Sequence, residues 1–169
     1  KLLAWSLYDL ANTIFSAIVL TAYFPLYFTR ITGKNWTLGA ASSASMILAG
    51  LVVPYLGTVS DRTGKTKKYL MEATIACILF LFPLAFFDHP AILMLCFLIS
   101  CFFYHAALVF YNALLPVAAE EKSQGWASGL GTGLGYFGVL IALPCAHWSE
   151  TRFGTQSVFI LAAIFFFLL

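Results

Sequence analysis

The chain has 169 residues, of which 62% are hydrophobic and only 9% are charged. Soluble domains carry about 25% charged residues, so this composition excludes a soluble globular protein and indicates an integral, multi-pass membrane protein. The formal net charge of +2 is too small to indicate binding to nucleic acid. We therefore expect the lipid bilayer to be a partner of the chain and expect no nucleic-acid partner.

Six apolar segments follow one another along the chain. A membrane-spanning helix needs about 20 mostly apolar residues. We expect helices near residues 5–28, 37–59, 68–87, 91–115, 126–147 and 156–169. The last segment is too short to cross the bilayer and ends in the apolar run FFFLL, so it is predicted to be truncated. The expected fold is all-α, a six-helix membrane bundle over residues 1–169 that lacks a C-terminal half.

The distribution of basic residues predicts which side of the membrane each turn faces. Turns on the cytoplasmic side carry an excess of lysine and arginine. With a cytoplasmic N-terminus, the inner side holds Lys1, Arg62, Lys65, Lys67, Lys68 and Lys122, and the outer side holds Arg30, Lys34 and Arg152. Tryptophan is enriched at both membrane surfaces. We expect Trp5 and Trp126 at the inner surface, and Trp36 and Trp148 at the outer surface.

Small side chains predict where helices approach one another closely, because packing is a main cause of helix association in lipid. The fifth predicted helix carries Gly129/Gly133 and Gly131/Gly135, both at a spacing of four residues, followed by Gly138. This glycine-rich start follows no strand, so it is not typical of a nucleotide-binding loop. We expect it to be a surface for packing between helices.

No arrangement of side chains typical of an enzyme is found. The histidines and cysteines lack the spacing of metal ligands, and no G-x-S-x-G turn occurs. The cysteines Cys77, Cys96, Cys101 and Cys145 all lie in apolar runs, so we expect them to be small packing residues. We expect no enzymatic activity, no cofactor and no metal.

The most informative segment is the short charged turn GTVSDRTGKTKK at residues 57–68. So short a turn makes the flanking helices antiparallel, and glycine supplies the positive φ angle that the reversal needs. Gly57, Asp61, Arg62, Gly64 and Lys65 fall in a pattern that resembles the signature loop between helices two and three of the major facilitator superfamily. The resemblance implies the N-terminal six-helix bundle of a transporter, with these five residues in a gating loop. The alternative is a basic turn that only sets topology.

Four further segments resemble one branch of that superfamily, the vacuole effluxers, which are related to autophagy-associated amino-acid effluxers. The segments are WSLYDLAN at residues 5–12, FPLYF at 24–28, YNALLP at 111–116 and SGLG at 128–131. The resemblance implies that the substrate is a small polar solute, such as an amino acid or a related metabolite. The fourth predicted helix contains no arginine, which disfavours a proton-coupled drug exporter.

Polar side chains form a stripe on one face of the first predicted helix. Asp9, Asn12 and Ser16 are spaced by three and four residues, so they lie on the same side of a helix. A carboxylate at mid-membrane costs ~2.5–3.5 kcal/mol on insertion scales unless it is paired or in contact with water. The stripe therefore either lines a water-filled cavity or joins helices at the cytoplasmic end, and both interpretations stay open.

A second polar stripe lies on the fourth predicted helix. His105 and Asn112 are seven residues apart on one face, and Tyr104 and Tyr111 repeat that interval beside them. In the superfamily that the chain resembles, helices one and four line the central cavity, which implies that the two stripes meet. Histidine titrates near neutral pH, so His105 is a candidate for carrying a coupling proton. The alternative is a neutral histidine that is hydrogen-bonded to a backbone carbonyl or a tyrosine.

Two ion pairs are expected at the inner surface. Lys68 and Glu72 are four residues apart on one helix, which suits a local pair. Glu120 and Glu121 lie in a short inner turn, and the fold that the resemblance implies brings that turn near Arg62 or Lys67. A pair between the two turns would lock the bundle while the cavity faces outward.

We expect a secondary active transporter that moves its solute by alternating access and draws on a proton or electrochemical gradient, since no nucleotide site is found. Its expected partners are a small-molecule substrate, the bilayer and the absent C-terminal half. The competing class is a non-transporting six-helix membrane scaffold, receptor or assembly subunit. The expected location is the inner cell membrane in a bacterium, or the vacuolar or lysosomal membrane in a eukaryote.

Overall fold

The structure is a computed structural model that describes residues 2–33 and 36–168, except for the side chain of Thr37. Every described element is helical, and we number six main helices in chain order. They are helix 1 (Leu2–Thr32), helix 2 (Trp36–Thr63), helix 3 (Thr66–Leu81), helix 4 (Pro90–Ala113), helix 5 (Gln124–Phe153) and helix 6 (Thr155–Leu168). Short helical turns at Phe82–Ala85, Leu115–Ala118 and Glu121–Ser123 lie between them.

Helices 1, 2, 4 and 5, and helix 3 together with the turn Phe82–Ala85, are long and apolar enough to cross a membrane, and helix 6 is a shorter apolar helix. The prediction of an all-α membrane fold is therefore confirmed. The predicted inner charge Lys1, the predicted outer charge Lys34 and the last predicted helical residue, Leu169, lie outside the described residues.

Helices end at glycines at three places in the described part of the chain. Gly33, Gly64 and Gly154 have φ angles of +66°, +64° and +88°, and each N–H donates to the carbonyl four residues earlier. Glycine takes this left-handed geometry without the steric cost that a side chain adds. Helices 2 and 5 therefore continue to Thr63 and Phe153, beyond the predicted ends at 59 and 147, because polar residues extend the helix until such a glycine stops it.

Helix 1 contains a wider, π-helical segment at Ser16–Tyr23. Pro25 follows the segment closely, and proline has no N–H to donate while its ring displaces the carbonyl four residues earlier. In a π-helical turn a backbone N–H donates to the carbonyl five residues earlier. The Phe24 N–H, for example, donates to the Val19 carbonyl. Such segments are frequent at functional sites, and this one begins at Ser16, which is a predicted site residue.

The main core is built around helix 1, which packs against helices 4, 5 and 6. Phe24 of helix 1 stacks on Phe97 of helix 4, with ring centroids 3.8 Å apart. Phe15 of helix 1 lies between Tyr104 of helix 4 and Phe166 of helix 6, at centroid distances of 5.0 and 5.1 Å. In lipid, such close packing holds helices together, since exclusion from water does not act between them.

Helices 2 and 3 pack on another side of helix 4 through a second buried cluster. Ala49 and Val53 of helix 2, Ala73 of helix 3 and Phe110 of helix 4 belong to it. The small side chains bring the helix backbones close together, and the Tyr69 ring of helix 3 stacks on Phe110 with centroids 5.8 Å apart. Helix 4 therefore connects this part of the bundle to the core around helix 1.

The cysteines mostly fill interior positions. Cys77, Cys96 and Cys101 are buried, and Cys145 is half-buried. The Ser100 hydroxyl of helix 4 donates to the Cys77 carbonyl of helix 3 at 3.0 Å. The predicted packing role is confirmed for the three buried cysteines.

Helix 5 approaches helix 1 closely along one row of glycines. A Cβ added to Gly131 or Gly135 would lie 2.9 Å from Asp9 Oδ2 or 2.5 Å from Thr13 Oγ1 of helix 1. Gly138 continues the row, with 2.9 Å to a methyl carbon of Leu10. Because a side chain at these positions would overlap helix 1, only glycine permits this approach.

The predicted glycine surface of helix 5 is therefore divided. Gly131 and Gly135 lie in the interface with helix 1. Gly129 and Gly133 have no heavy atom within 4 Å of an added Cβ. The two rows were predicted together, but only one is covered by the described part of the chain.

Polar contacts join the end of the bundle that lies opposite the 57–68 turn. Tyr27 and Gln156 both donate to Asp88 Oδ1, each at 2.7 Å. Arg30 pairs with Glu150 at an N–O distance of 3.5 Å. These contacts connect the end of helix 1 with the turn before helix 4, the end of helix 5 and the start of helix 6.

Three of the four tryptophans lie on the outside of the bundle, as side chains at a membrane surface must. Trp36, Trp126 and Trp148 are 72%, 66% and 59% exposed. The prediction for Trp5 is wrong, since its side chain is only 7% exposed. Its ring stacks on Tyr111 at a centroid distance of 4.5 Å, so Trp5 packs inside the bundle.

Candidate functional site

The 57–68 turn is more compact than its sequence pattern suggests. Helix 2 includes Asp61 and Arg62 in its last turn and ends at Gly64, while Lys65 precedes helix 3. Gly57 lies inside helix 2, so it takes no part in the reversal. Gly64 alone supplies the left-handed φ angle of this turn.

Hydrogen bonds close the turn on itself. The Ser60 hydroxyl donates to the Thr66 hydroxyl at 2.9 Å. The backbone N–H groups of Lys68 and Tyr69 both donate to the Lys65 carbonyl, at 2.9 and 3.2 Å. The backbone is thus fixed by small polar groups, and the charged side chains of Asp61 and Lys65 point to the exposed side.

One of the two predicted inner ion pairs is present. Lys68 Nζ lies 3.6 Å from Glu72 Oε1, which confirms the predicted local pair. Within the described residues, the structure contains no ion pair that joins Glu120 or Glu121 to the 57–68 turn. Both glutamates are exposed.

A polar cluster forms where helices 1, 4 and 5 meet. Asp9 is half-buried, and its Oδ2 faces the glycine row of helix 5 at Gly131. The Tyr111 hydroxyl of helix 4 lies beside the Asp9 carboxylate without forming a regular hydrogen bond. The Tyr104 hydroxyl interacts with the Ser16 hydroxyl and with the charge of Asp9. We call Asp9, Ser16, Tyr104 and Tyr111 the carboxylate–tyrosine cluster.

An aromatic stack holds Tyr111 in place beside Asp9. Trp5 lies on one side of the Tyr111 ring, and its Nε1 donates to the Tyr111 carbonyl at 3.2 Å. Tyr8 stacks on the same ring at 5.3 Å and exchanges a 2.7 Å hydrogen bond with Thr74 of helix 3. The Tyr111 ring is therefore held by side chains of helix 1, one of which is fixed in turn by helix 3, and this limits the positions that the Tyr111 hydroxyl can take.

Asn12 occupies a closed position. The residue is only 2% exposed, and none of the described residues forms a hydrogen bond with its Oδ1. A buried polar atom without a partner costs about 1–3 kcal/mol, so an acceptor is left here for a group that the described residues do not provide. In this structure Asn12 is packed inside the bundle and does not line an open space.

The predicted stripe on helix 4 lies away from helix 1. His105 is half-buried and lines a groove of about 260 Å³ with Gly50, Val53 and Pro54 of helix 2. Asn112 is exposed. The structure therefore does not bring His105 and Asn112 together with Asn12, because the residue that follows each tyrosine is turned about a quarter of the way around the helix.

Tyr104 and Tyr111, which are the residues that do face helix 1, were not selected as site residues from the sequence. Their spacing of seven residues is the same as that of His105 and Asn112, so periodicity alone did not separate the two stripes. The size of their side chains favours Tyr104 and Tyr111 as the residues that face helix 1, because an aromatic ring can stack against Trp5 and Phe15.

The chemistry of the carboxylate–tyrosine cluster is that of a site for a polar or cationic group. Asp9 accepts hydrogen bonds when ionised and donates one when protonated, and the tyrosine and serine hydroxyls do both. In the part of the chain that the structure describes, no three histidine, cysteine or acidic side chains are grouped so as to hold a metal ion. The cluster can therefore bind a solute group or exchange a proton.

Comparison with known proteins defines the class. The family model described as Major Facilitator Superfamily matches residues 4–169. The chain therefore belongs to the major facilitator superfamily, and together with its apolar helices this makes it an integral multi-pass membrane protein.

Two curated relatives are similar to the chain. An uncharacterized protein of Aquifex aeolicus (strain VF5) is 34% identical over 145 residues, which is 85% of this chain and 37% of the relative. The "Uncharacterized MFS-type transporter YxiO" of Bacillus subtilis (strain 168) is 33% identical over 148 residues, which is 82% of this chain and 35% of the relative. The chain thus spans about a third of the length of these relatives. No solved structure matches it.

Proposed function

We propose that this chain forms the N-terminal helix bundle of a secondary transporter that moves a small polar solute by alternating access. Membership of the superfamily supports transport, and one relative is itself named as a transporter of this type. The observation that carries the proposal is the half-buried Asp9 carboxylate at the meeting of helices 1, 4 and 5. A carboxylate within a membrane helix is costly, and such groups commonly mark a substrate or ion pathway.

The proposed substrate is an amino acid or a related metabolite, as in the vacuole-effluxer branch. The hydroxyls of Ser16 and Tyr104 offer hydrogen bonds to the polar groups of such a solute. The unpartnered Oδ1 of Asn12 is a further acceptor for the solute or for water when helix 1 shifts.

A proton is the proposed coupling ion, and the geometry favours Asp9 over His105 as its carrier. Asp9 lies beside the Tyr111 hydroxyl, which can relay or stabilise a proton. His105 lies in a groove toward helix 2 and Asn112 is exposed. His105 and Asn112 would line the proposed transport pathway only if a C-terminal half completed its walls.

The proposed gate is the 57–68 turn. Asp61, Arg62 and Lys65 are exposed, and no described residue forms an ion pair with them. They are therefore free to contact a C-terminal half. Gly57 lies four residues before Asp61 on the same face of helix 2, and no described atom lies within 4 Å of an added Cβ there.

Uptake into proteoliposomes that contain the full-length protein tests this function. With an imposed proton gradient, we expect at least one compound from a panel of labelled amino acids and related metabolites to accumulate. Asp9→Asn should abolish uphill accumulation, while exchange between equal pools should remain. Glu121→Gln, which neutralises an exposed inner carboxylate outside the cluster, is the matched control.

Two outcomes would separate the alternatives. Failure to transport any compound in the panel, with a correctly folded protein, favours the non-transporting scaffold. Normal accumulation in Asp9→Asn together with its loss in His105→Gln returns the coupling role to His105. Asp61→Asn tests the gate separately, since we expect it to slow both accumulation and exchange without affecting membrane insertion.

A further inference from the structure

A groove of about 330 Å³ lies at the end of the bundle that carries the basic 57–68 turn. Its walls come from the start of helix 1 at Ala4, the start of helix 3 at Leu70 and Met71, and the short helix after helix 4 at Ala118. Three helix ends converge here, so the groove lies where the membrane interior meets the aqueous phase. Its volume is within the range of ligand-binding clefts.

Among the described residues that line this groove, Lys67 is the one that carries a charge, and the others are apolar or aromatic. Lys67 is exposed, and no described carboxylate forms an ion pair with it. Its neighbour Lys68 is already paired with Glu72. The groove therefore combines a carbon surface with a single unneutralised amine at its rim.

We propose that this groove binds an anionic phospholipid, with part of an acyl chain against the apolar walls and the headgroup phosphate at Lys67. The combination of an apolar surface with one cation matches an amphiphile of negative charge, and basic pockets between membrane helices are known to hold such headgroups. The predicted cytoplasmic side is also the leaflet in which anionic lipids are concentrated. A small polar solute would leave the carbon walls of the groove unmatched.

The lipid would also contact the support of the carboxylate–tyrosine cluster. Trp5, Tyr8 and Tyr111 line the groove on one side, and the Tyr111 hydroxyl lies beside Asp9. An acyl chain in the groove would press on the stack that positions Tyr111. Occupancy should therefore stabilise the folded bundle, and this effect is measurable without a transport assay.

The test compares lipids of identical acyl chains but different headgroups. Full-length protein in detergent micelles is titrated with phosphatidylglycerol or phosphatidylcholine, and binding is followed by native mass spectrometry and by the thermal unfolding midpoint. We expect phosphatidylglycerol to be retained and to raise the midpoint, while phosphatidylcholine and free glycerol phosphate do neither. Equal retention of the two lipids would show an unselective apolar groove and overturn the proposal.

Two variants and one control assign the binding to this groove. Lys67→Gln should weaken phosphatidylglycerol binding about fivefold, the effect of one lysine near an anionic surface. Ala4→Trp fills the groove while keeping every charge, and it should reduce retention to a similar extent. Lys122→Gln removes an exposed charge from the same side without touching the groove, and it should change binding less than twofold. A loss as large in Lys122→Gln as in Lys67→Gln, or unchanged binding in Lys67→Gln, would mean that only diffuse attraction acts.

Discussion

The two glycine rows of helix 5 differ in what they contact, although they are alike in sequence. The row of Gly131 and Gly135 touches Asp9 and Thr13 of helix 1. In the row that contains Gly133, an added Cβ would have no described heavy atom within 4 Å. The same residue type at the same spacing thus serves close packing on one side and is uncovered on the other.

The difference shows that a small residue on a membrane helix can be required by a neighbouring helix or can lie on an uncovered surface. In the covered row, glycine is required by the distance between backbones, because any side chain would overlap helix 1. In the open row, the described fold places no such requirement on the residue. The open row leaves room for close approach by a further surface, such as that of the proposed C-terminal half.

The largest expected effect is that of Gly135→Ala, which should destabilise the bundle by about 1–3 kcal/mol. The new Cβ would lie 2.5 Å from Thr13 Oγ1 and 2.9 Å from Thr13 Cβ, so helix 1 must move away. The loss appears as a lower midpoint of thermal or denaturant unfolding in detergent. A midpoint equal to that of the parent protein would show that helices 1 and 5 are not this close.

A second substitution sharpens the same contact. Thr13→Ala removes the hydroxyl and the methyl group nearest to position 135, so in the Gly135→Ala background it should recover roughly half of the lost stability. Residues in contact show such coupling energies, typically 0.5–3 kcal/mol. The four proteins of this cycle are compared by unfolding midpoint, and purely additive effects of the two substitutions would contradict direct contact.

The sequence predicted the helices well because apolar length is a local property. It also predicted the Lys68–Glu72 pair, which depends only on spacing within one helix. It did not distinguish Tyr104 and Tyr111 from His105 and Asn112, since the choice between neighbouring faces depends on where helix 1 lies. Trp5 was misplaced for the same reason, because a tryptophan near a helix end suits the membrane surface and an aromatic stack equally well.

A glycine that is needed for its positive φ angle should be destabilised by alanine even where no neighbouring atom is close, unlike a glycine that is needed because two helices approach closely. Gly64 has φ +64° and nothing within 4 Å of an added Cβ, so Gly64→Ala meets no neighbour. It should still cost about 1–2 kcal/mol, because a side chain disfavours left-handed geometry. Gly57→Ala, at an open helical position of the same segment, is the control and should not lower the unfolding midpoint. Equal midpoints for the two variants would contradict the compact turn at Gly64.

The smallest effect on stability, and the most informative for function, is expected from Gly133→Ala. Nothing in the described fold opposes the added methyl group, and alanine is favoured over glycine in a helix by up to about 1 kcal/mol. The unfolding midpoint should therefore stay the same or rise slightly, in contrast to Gly135→Ala.

If the open row packs against a C-terminal half that moves during transport, the methyl group of Gly133→Ala should slow solute exchange in proteoliposomes, because the two surfaces no longer approach as closely. Gly125→Ala, also at an open position of helix 5 but nearer to its end, is the control and should affect exchange less. Unchanged exchange with Gly133→Ala would mean that the open row faces lipid, and the contrast between the rows would then be one between protein and bilayer.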